Sequence, residues 1–130
     1  MRLYKIPLKR NLMKFISPKV HGIIDYLVVV FLLISPTIFG FTGLLATFTY
    51  ALGGVHLLLT ILTAYSVGLV KVIPLALHGL IEFVVGIVLI VLAYTLFKDD
   101  ATGKLFYIVF GTVVLLTWLV TDYTGNTTTV

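Results

Sequence analysis

The 130-residue chain contains no cysteine. That absence excludes disulfides, thiolate metal sites, CxxC redox chemistry, c-type haem attachment and a cysteine nucleophile together. Charge is scarce as well. Asp, Glu, Lys and Arg make up 11% of the residues, against about 25% in an average soluble domain. The chain has no Gly-rich phosphate loop, no nucleophile elbow and no HExxH pair, so none of the catalytic motifs that can be recognised by spacing is present.

What the chain has in quantity is apolar surface. Hydrophobic residues account for 60% of it, more than the interior of so small a soluble domain can hide, and the solvent for most of the chain is therefore lipid. Four apolar runs read as spans: Val20 to Phe39, Leu44 to Val67, Leu75 to Phe97 and Leu105 to Thr121. Each is long enough for a bilayer core of ~30 Å. Pro18 and Lys19 open the first, Gly40-Phe41-Thr42-Gly43 supplies its exit turn, and Pro36 is expected to kink its last turn. No small-residue cleavage site follows that run, so it is expected to be retained as a span. The expected fold is all-α: a four-helix transmembrane bundle built from two tandem parallel two-helix repeats. Residues 1–19 form a basic segment, 20–70 and 71–123 the two hairpins, and 124–130 a short polar tail.

The positive charges are clustered. Arg2, Lys5, Lys9, Arg10, Lys14 and Lys19 precede the first span with no acid among them, and Lys71 lies in the loop between the hairpins. Lys98 and Lys104 fall on the opposite side, in the polar stretch Lys98 to Lys104. Counting Lys and Arg places both termini in the cytoplasm. The basic segment suits anionic lipid headgroups, not nucleic acid. Tyr50, Tyr65, Tyr107, Trp118 and Tyr123 are expected in the interfacial aromatic belt, and Asp122 in interfacial solvent.

The sharpest pattern is a phrase that occurs twice, 57 positions apart: His21-Gly22-Ile23-Ile24-Asp25-Tyr26 and His78-Gly79-Leu80-Ile81-Glu82-Phe83. The same offset pairs Tyr50 with Tyr107 and Gly54 with Gly111, which reads as a duplication. Two spans separate the copies, so they enter the membrane from the same side, as parallel repeats. In each copy the histidine and the acid are four residues apart, on one helix face. The acids lie about 10 Å inside their helices at 1.5 Å per residue. Ionisable groups at that depth have a reason to be there. His21, Asp25, His78 and Glu82 are therefore expected to share one depth.

Helix 2 carries the third histidine in a stripe of small and polar residues, Thr49, Gly53, His56, Thr60 and Thr63, a face suited to close helix packing. His56 should lie nearer mid-bilayer than His21, so a single site with three histidines looks strained, and Asp25 is the expected partner of His56. At the same offset helix 4 carries Phe106, Phe110, Val113, Thr117 and Val120, so any site is asymmetric.

The residues leave several uses open for His21, Asp25, His78 and Glu82. The favoured one is a polar lock between hairpins in a non-enzymatic scaffold or binding protein, with no cofactor and with self-association as a homo-oligomer left open. The alternatives are a divalent metal site with these four as ligands, a proton or small-ion path, and haem between two histidines. The acid-to-histidine order and spacing differ from those of the di-iron bundle motif.

The stretch Leu32-Leu33-Ile34-Ser35-Pro36-Thr37-Ile38-Phe39-Gly40-Phe41 resembles the signature of the SPW-repeat family of small bacterial membrane proteins. Thr37 stands where that signature has tryptophan, and Leu92-Ala93-Tyr94 stands at the second copy. The resemblance implies a four-span, two-repeat plan in a bacterial inner membrane. It carries no catalytic residue.

Overall fold

The computed structural model describes residues 13–125. The basic residues Arg2, Lys5, Lys9 and Arg10 and most of the polar tail lie outside them. The described chain forms four helices: α1 (Pro18–Ile38), α2 (Gly43–Leu62), α3 (Leu75–Tyr94) and α4 (Ala101–Val120). All four are long and apolar enough to cross a bilayer, and the molecule is an all-α integral membrane protein with no strand among the described residues. Large apolar side chains such as Leu27, Val30, Leu80 and Leu105 point outward, where a water-soluble bundle would put its charges. Polar groups are inside, including His21, Asp25, Thr49, Thr60, Thr63, His78, Glu82 and Thr121.

Local chemistry sets the helix starts. The Ser17 hydroxyl accepts the Val20 N–H, and Pro18 follows at the first helical position, where a missing N–H costs nothing. α1 continues past Pro36 to Ile38. The Asp100 carboxylate accepts the Gly103 N–H at 2.9 Å. That cap starts α4 at Ala101, four residues before the position expected from hydropathy, and Ala101 to Lys104 are its first turn, not loop.

The largest departure from expectation is at the end of α2. The apolar run continues to Val67, but the helix stops at Leu62. Beyond it the backbone pairs with the segment before α3: Ala64 N–H donates to Ile73 C=O, and Ile73 N–H to Leu62 C=O. These loop hydrogen bonds take the place of further helical turns. The chain after α4 behaves alike. Asp122 N–H donates to Ile16 C=O, and Ile16 N–H to Val120 C=O. Thr63 thus bridges Ile73, and Thr121 bridges Ile16. Each hairpin's exit is tied to the entry of the other.

A uniform 57-residue offset therefore does not describe the structure. It relates α1 to α3, but 58 relates α2 to α4, because α3 is one residue shorter than α1 and the loop after it is two longer (95–100 against 39–42). The counterparts of Thr49, Gly53, His56 and Thr63 are thus Tyr107, Gly111, Val114 and Thr121. The asymmetry expected from sequence persists, on different residues.

At the end away from this pairing the core is aromatic. Phe97 stacks on Tyr107, and Phe41 and Phe48 meet Phe106 and Tyr107 edge-on. Tyr107 is fully buried and bonds to Thr49 at 2.6 Å. It belongs to the core and not to an interfacial belt, since a buried phenol needs a partner.

Candidate metal centre

His21 and Asp25 sit one helical turn apart on α1, and His78 and Glu82 do so on α3. All four side chains turn inward and meet between the hairpins. One ligand atom from each lies within 4.8 Å of all the others. The His21 Nε2 is 3.1 Å from Glu82 Oε2 and 3.3 Å from Asp25 Oδ1. The His78 Nε2 is 3.4 Å from Asp25 Oδ2 and 3.4 Å from Glu82 Oε1. The two Nε2 atoms are 3.4 Å apart. Each carboxylate straddles the histidine pair, one oxygen toward each ring. Both histidines are fully buried, and Asp25 and Glu82 are nearly so. Among the described residues, no Lys or Arg pairs with either acid.

Outer partners determine which atoms face the centre. The His78 Nδ1 is 2.7 Å from Thr63 Oγ1, and the His21 Nδ1 is 2.9 Å from Thr121 Oγ1. Each threonine hydroxyl has a single proton, given to a backbone carbonyl of its own helix, Leu59 for Thr63 and Thr117 for Thr121. The threonine oxygens must then accept from Nδ1–H. The hydrogen-bond network assigns both neutral imidazoles as the Nδ1–H tautomer, with the Nε2 lone pairs aimed at one another and at the carboxylates.

The carboxylates are held in the same way. Tyr65 donates to Asp25 Oδ2 at 2.8 Å, and Tyr123 donates to Glu82 Oε2 at 2.5 Å. Burial, and next the adjacent Asp25 carboxylate, push the Tyr65 phenol up from its ordinary value. Burial and the Glu82 carboxylate do the same for Tyr123. Both phenols stay protonated and remain donors. The reading of Tyr65 and Tyr123 as interfacial anchors is thus corrected: they close the floor of the site, and Tyr65 is 4% exposed.

The glycine of each phrase makes room for these rings. A Cβ on Gly22 would fall 2.3 Å from Val67 Cγ2 and 3.0 Å from the Tyr65 ring, and one on Gly79 would fall 2.9 Å from the Tyr123 ring. Asp122 also departs from expectation. It is buried and accepts the Thr124 N–H at 2.9 Å, which shapes the turn carrying Tyr123.

His56 joins from α2. Its Nε2 is 3.6 Å from Asp25 Oδ1, too long for a hydrogen bond, and is buried without a hydrogen-bond partner. His56 stays outside the group of four and approaches it at Asp25, the partner expected from sequence. His56 lies six residues from Leu62, about 9 Å, and Asp25 seven residues from Pro18, about 10 Å. The two are therefore level. Sequence reasoning named His21, Asp25, His56, His78 and Glu82, and the structure brings His21, Asp25, His78 and Glu82 together, with His56 beside Asp25. It missed Thr63, Thr121, Tyr65 and Tyr123 as their supports. Their matched 58-residue spacing was the available signal.

Comparison with protein-family models, characterised proteins and solved structures finds no match to this chain.

Proposed function

We propose that the protein is an intramembrane metal-binding protein, in which His21, Asp25, His78 and Glu82 hold one divalent transition-metal ion between the two hairpins. One arrangement carries this reading: with both imidazoles neutral, every atom turned toward the centre is an acceptor. Thr63 and Thr121 take the imidazole protons outward, and Tyr65 and Tyr123 donate from the rim. Two Nε2 lone pairs and two carboxylates are left facing one another, with a net charge of −2 in a low-dielectric setting. A divalent cation balances that charge. Two imidazoliums would balance it only by opposing N–H groups across 3.4 Å.

The dimensions are close to those of a metal site. Ligands ~2.0–2.1 Å from zinc at the corners of a tetrahedron are about 3.3–3.4 Å from one another; the two Nε2 atoms are 3.4 Å apart, and one ligand atom from each of the four residues lies within 4.8 Å of the others, so a modest inward shift of the side chains would close them on an ion. A mixed nitrogen and oxygen set suits zinc, iron or manganese over the soft ions that seek thiolate. The supports have the form usual around metal ligands, where the second imidazole nitrogen and the carboxylates are themselves hydrogen-bonded.

In this reading the protein is a non-enzymatic binding protein of a bacterial inner membrane with both termini cytoplasmic. The chain is a duplicated hairpin, as the recurring Thr–His and Tyr–acid contacts support, and the SPW-like stretch fits that plan. The test is metal analysis, with an absorption spectrum, of protein purified in mild detergent. Near-stoichiometric metal without a Soret band is expected, and its loss in the double variant Asp25→Asn, Glu82→Gln with the helical circular dichroism preserved. A folded wild type that stays metal-free after dialysis against zinc, iron and manganese would overturn the metal reading and leave the polar lock and the proton path.

A further inference from the structure

A second polar feature lies beside the four donors and is not used by them. His56 Nε2 is buried without a hydrogen-bond partner, in a bundle where the other buried side-chain nitrogens and oxygens among the described residues have one. It borders a small space of about 40 Å³ between the hairpins, lined by His56 and Glu82 and otherwise by apolar side chains, including Leu32, Leu52, Ile81 and Val114. That is room for one water-sized molecule. An apolar cavity would stay dry, but this one has an imidazole nitrogen on one wall and a carboxylate of the proposed metal site on another. The 58-residue counterpart of His56 is Val114, so only one side of the metal carries such a wall.

We infer that this cavity is an exchangeable coordination position: a fifth site on the metal, filled by water and open to a small monodentate ligand that bonds to His56. The inference rests on the metal reading above. A purely structural site is closed by four protein ligands, whereas one that binds small molecules keeps a position free. Here the four donors come from α1 and α3, and all four helices contribute walls of the cavity. His56 Nε2 is at ligand-to-ligand distance from Asp25 Oδ1, 3.6 Å, which puts it beside the coordination sphere. A metal-bound water in the cavity would have the metal, His56 and Glu82 as partners, within the two to four that a buried water needs.

Cobalt(II) and azide test this. The cobalt-loaded protein is expected to change its visible d–d spectrum on azide addition, saturably and with one azide per cobalt. His56→Val, which copies the residue at position 114, should bind cobalt as well as the wild type but azide about tenfold or more weakly, the loss of a hydrogen bond to a charged ligand. Val114→Leu narrows the cavity from the far wall without touching a polar atom, and should weaken azide in the same direction. An azide-insensitive spectrum of the wild-type cobalt protein would overturn the inference and leave the metal site standing. So would loss of cobalt affinity in His56→Val, since His56 would then be a ligand. Failure of the wild type to take up cobalt would overturn the metal reading itself.

Discussion

Gly22 and Gly79 follow the two site histidines because a ring must lie where a side chain would be. A methyl group at 79 would meet the Tyr123 ring at 2.9 Å, so Gly79→Ala must push that ring aside and withdraw the phenol from Glu82. Overpacking of this kind costs about 1–3 kcal/mol, and Gly79→Ala should melt lower than wild type and hold metal more weakly. Gly54→Ala is the control, since a Cβ there has nothing within 4 Å. It should be neutral or slightly stabilising, because alanine is the better helix former. Thermal melts in detergent with and without zinc check both. At this scale the sequence was partly legible. The repeated His-Gly-x-x-acid phrase pointed to the four donors, but nothing in it said that the glycines serve tyrosines some 43 residues further along.

Elements contribute through their ends. α2 and α4 stop at Leu62 and Val120, and the few residues after each carry a threonine for the other hairpin's histidine and a tyrosine for their own hairpin's acid. Hydropathy reads α2 through to Val67, because Thr63 to Val67 are not polar enough to end a span. The stop comes from backbone pairing with the chain before α3, a contact between positions that no local window compares. Thr63→Val and Thr121→Val keep the side-chain shape and remove the acceptor for Nδ1–H. Each should lower metal affinity by roughly 10–100-fold, the range seen when second-shell partners are lost, with helix content unchanged. Competition against a chelator of known affinity measures the drop. A variant with unaltered affinity would mean that the tautomer is not set by the threonine.

Across the whole molecule the site lies between two hairpins, with His21 and Asp25 on one and His78 and Glu82 on the other. A metal held by both should stabilise their docking. Free metal at a hundred times its dissociation constant adds about 2.7 kcal/mol to the folded state. The unfolding temperature in detergent should therefore rise with zinc concentration and fall on chelation, and the Asp25→Asn, Glu82→Gln variant should show neither response. A melting temperature independent of metal in the wild type would contradict a bridging ion.

The sequence by itself determined the solvent and the element count. So few charges among so many apolar residues leave lipid as the only surroundings, and four runs of spanning length leave four helices. It also marked the ionisable residues, since a histidine or an acid inside such a run stands out against its neighbours. Only the tertiary structure decided what those residues face. Each histidine's proton is directed by a threonine from the opposite hairpin, each acid is capped by a tyrosine beyond a helix end, and His56 comes level with Asp25 only because α2 stops short. These relations depend on chain segments 15 to 100 residues apart, and hydrogen bonding over such distances is settled by packing, not by local preference.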